Sequence, residues 1–304
     1  MEAISPEKPL DEAAPSLGAG PAGAPAGALP NLIVIGAQKC GTSVLHYYLS
    51  LHPEVSMSKP KELNFFIEER NWPRGPEWYK AHFDASAHVR GEASPNYTAY
   101  PQHDGVPERM HSLVPDAKLI YLVRDPLARI AAHWVHNYAK RREKGTLAKT
   151  LVHPNTSYVE RSMYAMQLER FLEHYPKQQV LVMQQSELRH ERMATLRRVF
   201  EFIGVDPAFN HPRFEQERHQ TSRKTRATRL AVRLERLGRS RAGRRIPPNF
   251  WLVLDDRLPL RRAIERPDVA AALPAETLEA LRADARRLRE LTGRDVSNWK
   301  LWDA

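Results

Sequence analysis

The first candidate for chemistry is a lysine in a short loop bounded by two glycines. Gly36 and Gly41 have four residues between them, one of which is Lys39, and Thr42 and Ser43 follow directly. Glycines at this spacing are typical of a nucleotide-binding P-loop, whose backbone amides surround phosphate groups. In such a loop a lysine follows the second glycine, whereas position 42 here is threonine. We therefore expect an anion at this loop, with Lys39 beside its bridging region.

The elements on either side of the loop should aim it at one point. The apolar run 32–35 predicts a strand buried on both faces, and apolar residues recur at helical spacing from Thr42 until Pro53. The first amides of a helix have no partner within the helix, so a helix start after a strand favours an anion. The alternative is a tight turn with a surface lysine.

A second cation follows another predicted strand. The run 119–123 is apolar, Arg124 comes next, and Asp125 and Pro126 suit the start of a helix. Ligands bind beyond the carboxyl ends of parallel strands, and a guanidinium suits bidentate recognition of phosphate. Arg124 is therefore a candidate phosphate ligand, with a structural ion pair as the alternative.

Two carboxylates are candidates for acid–base chemistry. Glu62 ends the charged stretch 59–62, and a carboxylate among lysines near an anion loop could serve as a general base. The alternative for Glu62 is a solvated charged loop. Glu92 follows a short predicted strand and is the second candidate, with a structural role as its alternative.

The composition describes a basic globular chain with 304 residues, a net charge of +10 and one cysteine, Cys40. Alternating strands and helices predict an α/β protein with a central parallel sheet flanked by helices. We expect a disordered Ala/Pro/Gly-rich tail over 1–29 and a single domain over 30–304. Without a visible signal peptide or membrane span, we expect a cytoplasmic protein, and the charge indicates an anionic partner.

The segment Gly36–Ser43 resembles the 5′-phosphosulfate loop of sulfotransferases, which use 3′-phosphoadenosine 5′-phosphosulfate (PAPS) as sulfuryl donor. The stretches 51–55 and 59–66 are similar to the branch that contains the heparan sulfate sulfotransferases and many bacterial relatives. The ending 291–299 is similar to the family's C-terminal motif. The resemblance implies a P-loop NTPase-like sulfotransferase fold, PAPS as donor with 3′-phosphoadenosine 5′-phosphate (PAP) as product, and no metal.

The resemblance also implies roles for single residues. Lys39 would stabilise charge on the sulfuryl group and on the departing phosphate, and Glu62 would take the proton of the acceptor hydroxyl. Arg124 would hold the 3′-phosphate of the nucleotide. The loop residues that would surround the 5′-phosphate are Cys40, Gly41, Thr42 and Ser43.

Two positions depart from the family pattern. The serine that accompanies the first arginine at the 3′-phosphate is Ala132 here, so one hydrogen-bond donor is missing. The lysine that often follows the glutamate of the Glu-x-Ser/Thr-Pro-x-Tyr motif is Ala93. Glu92 and Tyr97 match that motif and, with Tyr164, are weaker candidates for the substrate side of the site.

The stretch 218–245 is strongly basic, with eleven Lys and Arg residues against one acid. The family closes its nucleotide site with a basic loop in this region, and Arg223, Lys224 and Arg226 are the candidates here. The stretch lacks interleaved aromatics and any recognised module, so we expect no nucleic-acid partner. A solvated basic face or a peripheral membrane contact remains an alternative.

These observations predict a sulfotransferase that moves a sulfuryl group from PAPS to a hydroxyl of a small-molecule, glycolipid or glycan acceptor. One alternative is a P-loop kinase or NTPase, which needs a lysine at position 42 and a magnesium-binding acid, for which Asp125 is the candidate. The other is a non-catalytic nucleotide- or anion-binding relative, which the alanine at position 132 favours.

Overall fold

A computed structural model of the protein describes residues 27–152, 156–215, 225–227 and 261–304. Most of the predicted tail (1–26) and the candidates Arg223 and Lys224 lie outside the described residues. The packed part of the chain begins slightly before the predicted boundary at residue 30. Leu29 packs against the core, and its carbonyl accepts a hydrogen bond from Arg90 Nε at 2.9 Å.

A five-stranded parallel sheet forms the centre of the fold, which confirms the predicted fold class. Its order is β2-β3-β1-β4-β5. The two apolar runs that were read as buried strands are β1 and β4, which lie side by side in the middle of the sheet. The strands are β1 (Leu32–Gly36), β2 (Val55–Met57), β3 (Val89–Ala93), β4 (Lys118–Val123) and β5 (Val180–Gln184).

Helices flank this sheet and supply the apolar faces that cover it. The predicted helices after the glycine loop and after Arg124 are present as α1 and α4, and a long helix, α10, lies near the C-terminus. The helices are α1 (Thr42–Leu49), α2 (Gly75–Lys80), α3 (Val106–Leu113), α4 (Pro126–Ala139), α5 (Leu147–Thr150), α6 (Ser157–Glu160), α7 (Tyr164–Leu172), α8 (Gln185–His190), α9 (Arg192–Ile203) and α10 (Ala275–Thr292).

The connections around the centre of the sheet create a crevice at one edge. From β1 the chain passes through α1 to β2 on one side, and from β4 it passes through α4 to β5 on the other. Neighbouring parallel strands whose connections leave in opposite directions open a crevice beyond their carboxyl ends. The glycine loop and Arg124 follow these two strands, so both begin at this crevice.

A second, two-stranded antiparallel sheet lies outside the predicted pattern. It pairs β6 (Thr225–Ala227) with β7 (Arg261–Ala263), and β6 packs against α4. Among the helices that the structure describes, none combines the length and apolar character required to cross a bilayer.

Candidate functional site

The backbone of the loop requires both of its glycines. A Cβ on Gly36 would lie 2.0 Å from Thr98 Oγ1, so no larger residue fits at the end of β1. Gly41 has φ +100°, in the left-handed region that glycine tolerates best. Lys39 also has a positive φ, of 70°, which turns the chain sharply between the glycines. The loop is therefore a compact turn from the end of β1 to the start of α1.

The start of α1 presents amides rather than a capping side chain. Gly41 is the N-cap and makes no side-chain bond, and the first turn holds no acidic residue. The amides of Thr42 and Ser43 thus belong to a helix end with partial positive charge, which suits an anion. Thr42 is buried and Ser43 exposed. The Cys40 amide is already used within the loop, where it donates to the Ala37 carbonyl at 3.1 Å.

Arg124 reaches across from β4 to the same loop. Its Nη1 donates to the Lys39 carbonyl at 3.2 Å, and the Ala37 amide donates to the Leu122 carbonyl of β4 at 2.7 Å. The Arg124 Nε is buried and has no hydrogen-bond partner among the described residues. An ordered guanidinium with an unused N–H beside an amide-lined loop is suited to a phosphate oxygen.

Two further arginines lie beside Arg124, and the sequence analysis did not single them out. Burial lowers the pKa of Arg129, whose Nε donates to Ser162 Oγ at 2.5 Å, and the charge of Arg124 acts in the same direction. Burial and the charge of Arg124 likewise lower the pKa of Arg266, which donates to the Ala128 carbonyl at 3.2 Å. Arg129 lies in the helix that begins directly after Arg124 and Asp125, whereas no local pattern points to Arg266.

Three predicted positions line the interior behind the loop. Ala132 is buried in α4 and contributes only a methyl group. Cys40 is fully buried, with its Sγ 3.5 Å from the hydroxyl of Tyr164. Burial raises the pKa of the Cys40 thiol and of the Tyr164 phenol, so both stay protonated near neutral pH. A buried, protonated thiol is a packing group and a poor nucleophile.

Glu62 lies close to the helix that begins at the anion loop. Its carboxylate is 44% exposed and lies 2.9 Å from Lys61 Nζ. On α1, His46 follows Thr42 by one turn, and burial lowers its pKa to about 4, with Lys61 adding to the effect and Glu62 opposing it. Glu62 therefore lies within electrostatic reach of His46, with its side chain open to an incoming molecule.

Glu92 and Tyr97 lie inside the protein, beneath the segment that carries Glu62. Glu92 has no solvent exposure, and its carboxylate accepts hydrogen bonds from Tyr79 at 2.5 Å, Tyr97 at 2.7 Å and Ser94 at 2.8 Å. Burial raises the pKa of Glu92, and these hydrogen bonds oppose that shift. A contact of Glu92 or Tyr97 with substrate stays a prediction.

The arrangement brings together an amide-lined loop, a lysine, an arginine with an unused N–H, and an exposed carboxylate at the same helix. The first three can hold an anion with two charged groups, and the carboxylate can accept a proton from a second molecule. Both carboxylate oxygens of Asp125 accept hydrogen bonds from the backbone. Its Oδ1 accepts from the Ala128 amide at 2.7 Å, and its Oδ2 accepts from the Leu301 amide at 3.2 Å. In the described ranges, no three His, Cys, Asp or Glu side chains form a group that could hold a metal ion.

Comparison with known proteins gives consistent matches. A family model described as a sulfotransferase domain matches residues 29–237. The chain is 30% identical over 207 residues to the human bifunctional heparan sulfate N-deacetylase/N-sulfotransferase 2, covering 61% of this chain and 23% of that protein. It is 32% identical over 192 residues to the human heparan sulfate glucosamine 3-O-sulfotransferase 5, covering 59% of this chain and 54% of that protein. The chain thus spans only part of the length of these curated relatives.

A solved structure extends the match to most of the chain. The crystal structure of a sulfotransferase from Alicyclobacillus acidocaldarius aligns with a TM-score of 0.64 at 25% identity. The alignment covers 90% of this chain and 99% of that one, so the likeness includes the sheet and the elements around the site.

Proposed function

Because the chain belongs to the sulfotransferase domain family, we propose that it transfers a sulfuryl group from PAPS to a hydroxyl of an acceptor. One observation carries the proposal: the hydrogen bond from Arg124 Nη1 to the Lys39 carbonyl joins two anion-binding elements at the crevice. PAPS has a phosphosulfate at one end and a 3′-phosphate at the other. Two cationic elements held at a fixed separation suit such a ligand.

The donor side of the reaction is assigned to the loop and to Arg124. The amides of Thr42 and Ser43 hold the 5′-phosphate, and Arg124 holds the 3′-phosphate through its unused Nε. Arg266 adds positive charge beside Arg124 and donates to the Ala128 carbonyl, four residues before Ala132 on α4, where the family has its serine. Lys39 stabilises the negative charge that grows on the bridging oxygen as the sulfuryl group departs.

The acceptor side is assigned to Glu62. Its exposed carboxylate takes the proton of the acceptor hydroxyl while the oxygen attacks sulfur in line with the leaving phosphate. Sulfuryl transfer then depends mainly on positioning and electrostatics, as phosphoryl transfer does. In this scheme the protein's own cations supply the charge stabilisation.

The kinase or NTPase alternative fits these residues poorly. Position 42 is Thr42, where a triphosphate loop has its lysine. Both carboxylate oxygens of Asp125, the acid that the alternative needs for magnesium, already accept backbone amides of α4 and of the C-terminal segment. The described geometry therefore favours a nucleotide whose 5′-phosphate carries a sulfuryl group over a nucleoside triphosphate.

The acceptor is proposed at the level of chemical class. The two curated relatives are named for heparan sulfate, one as an N-sulfotransferase and the other as a 3-O-sulfotransferase. We assign a hydroxyl of a glycan, glycolipid or small molecule, because an exposed carboxylate base is suited to deprotonating an alcohol. An amine acceptor also loses a proton as it becomes a sulfamate, so the test includes acceptors with free nitrogen as well as hydroxyls.

The proposal is tested by turnover of PAPS carrying a radiolabelled sulfuryl group. The purified chain is offered glucosamine-containing oligosaccharides with free or acetylated nitrogen, simple glycolipids and small alcohols. Transfer of label to an O-linked product supports the proposal. Label found only on nitrogen would correct the acceptor class, and no transfer to any acceptor, with PAP still bound, would indicate the non-catalytic relative.

A further inference from the structure

We propose that the buried carboxylate of Glu92 is a positioning residue: with Ser94 and Tyr97 it clamps the backbone that presents Glu62. The inference rests on the proposed role of Glu62 as general base. It concerns three consecutive amides that follow Glu62 and the three side chains beneath them.

The clamp reaches the backbone of each of the next three residues. The Leu63 amide lies close enough to the Glu92 carboxylate to oppose the rise in its pKa that burial causes. The Asn64 amide donates to Ser94 Oγ at 2.9 Å, and Ser94 donates onward to Glu92 Oε2 at 2.8 Å. The Phe65 amide donates to the Tyr97 hydroxyl at 2.9 Å, and Tyr97 donates onward to Glu92 Oε1 at 2.7 Å.

Glu92 is chemically suited to the centre of this network. An ionised carboxylate is an acceptor only, with about four lone-pair positions, and three hydroxyls donate to it, those of Tyr79, Ser94 and Tyr97. Glu92 lies in β3, which pairs with β1 at Ile33, so the carboxylate is fixed to the central sheet. The network therefore connects the segment after Glu62 to the rigid centre of the fold.

The apolar side chains of the same segment provide a second anchor. Leu63, Phe65 and Phe66 are buried, and the Phe65 ring stacks on Tyr79 at 4.2 Å between centroids. These side chains pack inward against the rings of the interior. Burial of the segment also removes its backbone amides from water, and the clamp supplies hydrogen-bond acceptors for them. Glu62 is the residue where the chain turns outward, so its position follows from the anchors behind it.

The carbonyl side of Glu62 is held as well. The Lys61 carbonyl accepts from the Ala93 amide at 3.4 Å, and the Glu62 carbonyl accepts from Asn64 Nδ2 at 3.3 Å. An exposed carboxylate on a backbone fixed on both sides loses little freedom when an acceptor arrives. Because a displacement of about 1 Å can reduce a rate about a hundredfold, this fixation matters for the rate.

Tyr97→Phe is the test, with Tyr175→Phe as the matched control. The Tyr97 change removes the hydroxyl between the Phe65 amide and Glu92 but keeps the ring. Tyr175 is equally buried, and its hydroxyl donates to the Val114 carbonyl at 3.1 Å, outside the clamp. We expect hydrogen exchange of the 63–65 amides to accelerate about tenfold in Tyr97→Phe only, as expected for one lost hydrogen bond.

Kinetics distinguish positioning from general support of the fold. We expect Tyr97→Phe to lower kcat about tenfold to a hundredfold, with the PAP dissociation constant within twofold of the wild-type value. In a Glu62→Gln background the same change should cost nothing further, because positioning acts only through Glu62. An equal loss in both backgrounds, or unchanged exchange at 63–65, would overturn the inference. If Tyr97→Phe does not fold, Ser94→Ala removes the link to Asn64 and is measured in the same way.

The two proposals fail in different ways. If Glu62→Gln retains full activity, the assignment of the base is wrong, whatever the exchange data show. If Glu62→Gln is inactive but Tyr97→Phe exchanges and turns over as the control does, the base stands and the clamp is wrong.

Discussion

We assign Lys39 to the donor side of the reaction and Glu62 to the acceptor side. Lys39 lies in the glycine loop, which we propose binds the donor, and its carbonyl accepts a hydrogen bond from Arg124. Glu62 lies in a different segment, paired with Lys61 at the surface. A change at either residue should therefore affect donor binding and turnover differently.

We expect Lys39→Ala to remove most turnover and also to weaken PAP binding strongly. The reason is that, in the proposed site, the lysine lies beside the 5′-phosphate of both the donor PAPS and the product PAP. Glu62→Gln should lower turnover about a hundredfold to ten-thousandfold, the usual contribution of a general base, while PAP binding stays unchanged. The measurements are initial rates with saturating PAPS and calorimetric titration with PAP.

Glu68→Gln is the matched control for Glu62→Gln. Glu68 is also an exposed glutamate in an ion pair, with Arg109 Nη1 at 3.1 Å, and we expect its loss to leave both measurements unchanged. Full activity of Glu62→Gln would remove Glu62 as the base.

Among the secondary-structure elements, the C-terminal helix α10 supplies a hydrogen-bond acceptor to the first turn of α7. Asp284 of α10 accepts hydrogen bonds from the amides of Ala165 at 3.0 Å and Met166 at 2.9 Å, in the first turn of α7. Tyr164, which contacts Cys40 behind the anion loop, begins the same helix. The C-terminal helix thereby supports the interior behind the loop.

Asp284 should give the stability a measurable dependence on pH. Burial raises its pKa from 3.8 to about 6, so the folded protein binds this proton more tightly than the unfolded chain. The stabilisation is complete below pH 3.8 and is lost as the pH rises through 6. We expect the unfolding free energy of the wild type, relative to Asp284→Asn, to fall by about 2 kcal/mol between pH 4 and 7.

Urea unfolding at several pH values between 4 and 7 measures this difference. Glu276→Gln alters an exposed carboxyl on the same helix and serves as the control. If the pH profiles of the wild type and Asp284→Asn run parallel, the carboxyl does not carry the shifted pKa.

The elements also show how far the sequence predicts the structure. Periodicity and turn residues predict the parallel sheet and the helices α1 and α4, because each depends on local pattern. The antiparallel pair of β6 with β7 joins segments more than thirty residues apart, by the numbering of Thr225 and Arg261, and no local pattern encodes it.

The same limit applies to the site. Lys39 and Arg124 could be singled out because each lies within a few residues of the end of a buried strand, and these two strands are neighbours in the sheet. Arg266 lies beside Arg124 only through tertiary packing, so the sequence offered no signal for it. Glu92 was noticed as a carboxylate, but its bonds to Ser94 and Tyr97 depend on how a loop folds over β3.

At the scale of the whole molecule, the sheet order explains why the two anion-binding elements meet. β1 lies beside β4, and their connections leave on opposite sides, so the loop and Arg124 face one crevice. The chain carries a net charge of +10, which favours the approach of a multiply charged nucleotide. We therefore propose that this crevice recognises a nucleotide with a 3′-phosphate.

The most direct test is the melting temperature of the protein with PAP, with adenosine 5′-phosphate and with ATP and Mg²⁺. A ligand at about 100 times its dissociation constant adds about 2.7 kcal/mol of stability, which is readily seen as a melting shift. We expect PAP to stabilise the protein most. Arg124→Ala should remove the advantage of PAP over adenosine 5′-phosphate. The control Arg287→Ala, which changes an exposed arginine paired with Glu169, should preserve that advantage. Greater stabilisation by ATP and Mg²⁺, or an advantage of PAP that persists in Arg124→Ala, would contradict it.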